Sequence, residues 1–229
     1  MRLSKRMKTA KEAVEKGKEY SLDQAVALAK DTSKVKFDSS LEIHVRLGID
    51  PKKSDQVVRG SVDLPHGTGK KVRVAAFVGP DKESEAKEAG ADIFGGKDLI
   101  EQIKKDSKCD FDVAVATPDI MKDLAVIART LGQKGLMPNP KVGTVTADIK
   151  KIVSQLKAGK ASYRSDDTAN VHLAVGKVSF SPEQLSDNIK AFVDSLKKVK
   201  PETAKGTYIQ SIYICSSMGP SVKVDIKTV

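Results

Sequence analysis

The feature that most limits what this chain can fold into is a change of rhythm at two places. From Val72 to Val78 (VRVAAFV) and from Phe111 to Thr117 (FDVAVAT) the sequence is almost continuously apolar, the pattern of strands buried on both faces. Helical patterns separate and follow these runs. Pro80 opens the first helix and Gly90 closes it. Ile93 and Phe94 suggest a short strand, and Leu99, Ile100 and Ile103 share one face of a second helix. Thr117 and Pro118 cap and start a third, which runs to Leu131 with Leu124, Ile127, Ala128 and Leu131 on its apolar side. Thr146 caps a fourth, whose Ile149, Ile152, Val153 and Leu156 fall at i, i+3, i+4 and i+7. Alternation of this kind predicts a small parallel α/β sheet with helices on both faces.

Outside this middle segment the strands alternate instead. Leu41, Ile43, Val45 and Leu47 interleave with Glu42, His44 and Arg46, which predicts a strand with one wet face. Gln56 to Val62 reads as a second strand. Past Gly159, Val171, Leu173 and Val175 point one way, and Asn170, His172 and Ala174 the other. Tyr208 to Cys215 and Val222 to Ile226 read as two final strands. Two helices belong to these ends. Ser21 with Gln24, and Ser181 with Gln184, have capping-box spacing. Leu22, Ala25, Val26 and Ala29 then line one helix, and Leu185, Ile189, Phe192, Val193 and Leu196 the other.

The economical fold has two domains: an α+β outer domain with an antiparallel sheet, built from 1–66 and 160–229, and a Rossmann-like α/β domain, 67–159, inserted into it. Gly67, Gly69 and Gly159 would form a double hinge at the crossings. Three separate segments are the alternative.

Enzymatic readings find no constellation to stand on. GTGKK (Gly67 to Lys71) lacks the glycine spacing and the hydroxyl of a phosphate loop. Gly96-Lys97 is followed by Asp98, which would repel phosphate where a hydroxyl should hold magnesium. No dinucleotide loop follows Val78 and no nucleophile elbow is present. His44, His66 and His172 have no carboxylate or thiol partner at a ligand spacing, and Cys109 and Cys215 form neither a disulfide framework nor a zinc site. The expected catalytic residues, metals and cofactors are therefore none. No apolar run approaches the roughly 18 residues of a membrane span.

Charge points elsewhere. Lys and Arg number 40 against 30 Asp and Glu, a net of +10, which favours a polyanionic partner. Arg2, Lys5, Arg6, Lys8, Lys11, Lys16 and Lys18 against Glu12, Glu15 and Glu19 give the first twenty residues a net of +4, read as a basic helix. Aromatics are only 4%, too few for a single-strand binder that stacks many bases. Lys36-Phe37 stands before the strand with the wet face, SYRSDDTANVH (Ser162 to His172) is dense in donors and acceptors, and CSSMGP (Cys215 to Pro220) presents backbone at close range. Such features suit RNA read by shape and 2′-hydroxyls. For Met218 the alternative is an ordinary hairpin with the methionine in the core.

One loop is specified for shape rather than chemistry. LGQKGLMPNPKVGTVT (Leu131 to Thr146) concentrates Gly135, Met137, Pro138, Asn139, Pro140, Lys141 and Gly143. Its prolines restrict three consecutive residues and its glycines permit close approach. It is expected at the tip of the inserted domain, facing the interdomain cleft or nucleic acid.

Together LGQKGLMPNPKVGTVT, PHGTGKKVRVAAF, YRSDDTANVHLAVGKVSF and SSMGPSVKVD, in order over nearly the whole chain, resemble the bacterial L-one family of large-subunit ribosomal proteins, the stalk proteins beside the tRNA exit site. The resemblance implies a two-domain, non-enzymatic protein of the large subunit, in the cytoplasm of a bacterium or in an organelle of bacterial descent, monomeric when free and without membrane contact. Its partners would be large-subunit rRNA, tRNA leaving the exit site, and an rRNA-like leader on its own messenger, which it represses. Carried over by position, the RNA surface comprises Lys36, Phe37, Arg46, Arg164, Asp166, Asn170, Ser217, Met218 and Gly219. The chain departs from the family pattern where Gln133 replaces a usual Pro, Asp167 and Ala169 a usual Lys and Gly, and Ser217 a usual Thr.

Overall fold

The computed structural model describes residues 4–15, 17–106 and 108–229. Arg2 and Lys16 of the basic N-terminal run lie outside them. The chain forms two compact units, one from the segment up to Gly69 together with Ala161–Val229, the other Lys70–Lys160.

The first unit is built on a four-stranded antiparallel sheet. β1 (Ser40–Leu47) lies between β7 (Asn170–Lys177) and β8 (Ile209–Ser216), and β9 (Ser221–Val224) completes the order β7-β1-β8-β9. Leu41, Ile43, Val45 and Leu47 all point to one face and are buried. They join α2 (Leu22–Asp31) and α8 (Pro182–Lys198) in a single core that includes Val26, Leu185, Ile189 and Phe192. Strand alternation thus gives one face to the helices and the other to water. β2 (Arg59–Asp63) pairs with β6 (Lys160–Arg164) beside this sheet.

The helix caps separate local from long-range control. At α8 the expected capping box forms: Ser181 Oγ accepts from Gln184 N at 3.3 Å, and Gln184 Oε1 accepts from Ser181 N at 3.1 Å. At α2 it does not. Ser21 makes no side-chain cap, and Leu22 N donates instead to Thr228 Oγ1 at 3.3 Å. The last strand stops at Val224, and Ile226–Thr228 turn as a 3₁₀ segment capped by Asp225, which brings Thr228 to the helix. The second strand starts later than expected, because Gln56 is occupied in a loop: it accepts from Asp50 N at 2.7 Å and donates to Thr203 O at 3.3 Å. The basic N-terminal helix α1 (Lys5–Glu12) buries none of its residues.

The second unit holds the parallel sheet β4 (Ile93–Gly95), β3 (Val74–Phe77), β5 (Val113–Ala116), in that order. Its central strand is apolar throughout because both faces are covered. Ala75 and Phe77 pack with Ile100 and Ile103 of α4 (Lys97–Asp106), Leu124 of α5 (Met121–Leu124) and Leu131 of α6 (Ala128–Gln133). Val74 and Ala76 pack with Ala86 of α3 (Glu83–Glu88) and with Ile149, Ile152 and Val153 of α7 (Ile149–Ala158). Two sequence expectations need correction here. The helix from Thr117 to Leu131 is interrupted by 3₁₀ turns at Pro118–Ile120 and Ala125–Ile127; the β-branched pair Val126–Ile127 at the second turn fits an α-helix poorly. The cap of α7 is Asp148, which accepts from Lys151 N at 3.2 Å, while Thr146 only accepts from Asp148 N.

Gly67, Gly69 and Gly159 have φ of 66°, 69° and 123°. Gly69 is also a close approach, since a Cβ there would stand 2.8 Å from Lys177 Cγ and 3.1 Å from the Phe180 ring. Next to it, the fully buried Asn188 of α8 accepts from His66 N at 3.1 Å and donates to Gly67 O at 2.9 Å and Val175 O at 2.7 Å. It ties helix, strand β7 and the chain leaving the unit to one side chain. Asn188→Leu leaves a buried N–H and two carbonyls without this partner, so urea unfolding should show a loss of about 2–4 kcal/mol.

Candidate nucleic-acid interface

The outward face of the four-stranded sheet carries the polar residues that alternation sends away from the core. Across the ladder His44 stands opposite His172 and Tyr213, Arg46 opposite Asn170 and Ser211, and Glu42 opposite Cys215. The outward stripe from Glu42 to Arg46 spans about 14 Å at the usual strand rise. The candidate residues gather at its two ends rather than in one cluster.

At one end the hairpin joining β8 to β9 turns at Ser217, Met218 and Gly219. Gly219 N closes the turn on Ser216 O at 2.8 Å. A Cβ at Gly219 would stand against Ser216 Oγ and 3.2 Å from Ser216 O, so a larger residue there would oblige the serine hydroxyl to turn away. Met218 sits at φ 62°, a left-handed conformation that a non-glycine residue rarely adopts. It is 66% exposed, which removes the core-methionine alternative. The turn is latched to the start of β1, with Ser217 N donating to Ser40 O at 2.9 Å and Ser40 N to Ser217 Oγ at 3.2 Å. Ser217 therefore acts through its hydroxyl. Arg6 of α1 donates to Met218 O at 3.2 Å and Lys34 O at 3.5 Å, a contact the sequence signalled only as a basic helix. Three residues before β1, Phe37 is 57% exposed, and its neighbour Lys36 is exposed too.

At the other end, β6 delivers the exposed Arg164 to a loop that a carboxylate organises. Asp166 accepts from Thr168 N (2.9 Å), Thr168 Oγ1 (2.7 Å) and Asn170 N (2.7 Å), with His172 Nε2 at 3.4 Å. Partial burial opposes its ionisation. The hydrogen bonds from Asn170, Thr168 and His172 win and hold the carboxyl at about 2. Asp166 thus shapes the loop, and Asn170 presents its amide through Thr168 Oγ1 at 2.7 Å. Ala169 stands at φ 64°, and its carbonyl accepts from Leu47 N at 2.9 Å. Beside Arg46 opens a cleft of ≈ 570 Å³ with Thr168, Ala169, Lys205, Thr207 and Gln210 in its walls.

Between the two ends lies a group that sequence spacing hid. His44 Nε2 is 3.1 Å from Cys215 Sγ, His44 Nδ1 is 2.8 Å from His172 Nδ1, and Glu42 Oε2 is 4.0 Å from His44 Nε2. Desolvation and the neighbouring His172 lower the His44 pKa against the pull of Glu42. Burial and Glu42 raise that of the Cys215 thiol.

In the second unit the Gly135–Gly143 loop is held from within. Leu136 and Met137 pack against the core and Pro138 is buried. Asn139 accepts from Lys141 N at 2.8 Å and donates from its backbone to Thr144 Oγ1 at 2.8 Å, around a 3₁₀ turn at Pro140–Val142. Gly135 and Gly143 take φ of 70° and 77°. Past the turn, Val145 bridges Ala116 in parallel, extending the sheet beside β5.

This chain is similar along its length to known proteins. Residues 29–220 match the profile of the "Ribosomal protein L1p/L10e family". Over 228 residues it is 51% identical to "Large ribosomal subunit protein uL1" of Bacteroides thetaiotaomicron and to the protein of that name from Porphyromonas gingivalis, covering 100% of this chain and 98% of each relative. The protein of the same name from Mycoplasma capricolum is 50% identical over 224 residues, 98% of this chain and 99% of the relative.

Two stability measurements check the corner around Asp166. Ala169→Gly should raise unfolding stability by about 1 kcal/mol by relieving a left-handed alanine. A carboxyl depressed below its ordinary 3.8 stabilises the fold above that value, and the contribution fades as pH falls from there through about 2. Wild type should accordingly lose stability between pH 4 and 2 faster than Asp166→Asn, read as melting temperature against pH.

Proposed function

Because this chain belongs to the ribosomal protein L1p/L10e family, whose members are structural ribosomal proteins and not enzymes, we propose that it binds a structured region of large-subunit rRNA through the open sheet face of its first unit. The observation that carries this reading is the exposed Met218 at the tip of a strained, latched turn. A protein does not hold a 66% exposed methionine at positive φ to fill its own core. Serine and arginine contacts fix the turn before any partner arrives, so an RNA surface meets a preformed shape. Phe37 offers an aromatic face for a base at the same end. Arg46 and Arg164 at the far end supply charge for the backbone. Asn170 gives that end a hydrogen-bonding amide, and Asp166 holds the loop that positions it.

On this reading the protein is cytoplasmic, monomeric when free, and part of the large subunit, where it assists the departure of deacylated tRNA from the exit site. An rRNA-like leader on its own messenger would fit the same face, making the free protein a translational repressor. Segment 67–159 serves as an inserted domain. Gly67 and Gly159 give its crossings their backbone freedom, and the Gly135–Gly143 loop is its shaped, RNA-directed element.

The test is binding to the rRNA stalk region and to a scrambled RNA of equal length across a salt series. Wild type should prefer the stalk by orders of magnitude at every salt concentration. Phe37→Ala should cost roughly 10–100-fold. Met218→Gly should keep or raise the melting temperature while losing affinity, which separates recognition from stability. Equal binding of both RNAs with a steep salt slope would reduce the interaction to the +10 net charge and defeat the proposal.

A further inference from the structure

We propose that the outward face of the sheet carries a site for a zinc-like divalent ion, with Glu42, His44 and Cys215 as its ligands. Their donor atoms all lie within 4.8 Å of one another, and each residue is half-buried. The arrangement is built by register. Glu42 and His44 sit two apart on β1 and so share a face, and Cys215 is the direct partner of Glu42 on β8. An ion at about 2.3 Å from sulfur and about 2.0–2.1 Å from nitrogen needs those two atoms roughly 3.5 Å apart in a tetrahedral set. The 3.1 Å between His44 Nε2 and Cys215 Sγ lies close to that value, and Glu42 Oε2 stands 4.0 Å from His44 Nε2, on the same side of the sheet.

The residues behind the ligands favour the same reading. Asp166 accepts from His172 Nε2–H (3.4 Å), which leaves His172 Nδ1 as an acceptor. His44 Nδ1–H then donates to it at 2.8 Å. The lone pair of His44 is thereby confined to Nε2, the atom aimed at Cys215. A carboxylate fixing a ligand's tautomer from outside is the usual support of a metal site, here relayed through a second histidine. A thiol, an imidazole and one carboxylate select a borderline or soft ion over magnesium or calcium, which take oxygen sets. On binding, the Cys215 S–H bond breaks, sulfur keeps the electron pair and bonds the ion, and the proton leaves to solvent. The fourth position opens on the wet face. The inference is independent of whether that face binds RNA.

The experiment is a titration of the full, reduced chain with Co²⁺, followed by displacement with Zn²⁺. One equivalent should produce a thiolate-to-cobalt charge-transfer band that zinc abolishes. Cys215→Ser, His44→Ala and Glu42→Gln should each lose or weaken it with circular dichroism and melting temperature retained, whereas Cys109→Ser should leave it intact. His172→Ala, a positioning change, should weaken affinity roughly 10–100-fold. No thiolate band in wild type, or a band that survives Cys215→Ser and disappears in Cys109→Ser, overturns the proposal. Glu42→Gln keeps the test decisive should either of the other ligand variants unfold: unchanged affinity there removes the third ligand and the proposed site with it.

Discussion

The register of β1 between β7 and β8 is the constraint on which the rest of the first unit depends. Side chains alternate with period two, so a one-residue slip would exchange Leu41, Ile43, Val45 and Leu47 for Glu42, His44 and Arg46. The slip would bury two charges and a histidine against α2 and α8, at a cost far above the stability of a domain. Both neighbours of β1 come from beyond the second unit in sequence. The sheet is therefore closed by long-range contacts, and every outward group takes its partners from that pairing.

The same pairing explains how an exposed surface is held rigid. The turn at Ser217–Gly219 is fastened to Ser40, and the loop at Asp166–Asn170 to β1 through Leu47 N. Two non-glycine residues, Ala169 and Met218, take left-handed backbone at these two corners. Such strain persists only where the surroundings over-determine the conformation. It falls at the two ends of the sheet face that carry the candidate residues.

The second unit rests on a different economy. Its central strand is covered on both faces, so Val74 to Phe77 must be apolar without alternation. Its long loop is fixed by Asn139, Thr144 and a buried Pro138. The few reactive groups in LGQKGLMPNPKVGTVT follow from this: its side chains and glycines specify a path for the backbone.

What the sequence determined by itself was whatever depends on near neighbours. Period-two and period-3.6 patterns marked the strands and most helices, the Ser181 box and Pro182 started α8, and unbroken apolar runs announced the buried parallel strands. Family membership was legible because long stretches of it are written in order. The tertiary structure alone decided which partner won where several were possible. Thr228 displaced the Ser21 cap, Asp148 took the place expected for Thr146, and Cys215 met His44 across 171 positions of chain. A capping box or an apolar stripe is set within a turn or two of backbone. Alternation in the sequence excludes a one-residue slip, but which strand lies alongside, and so which residues become cross-strand neighbours, is decided by pairing between distant segments.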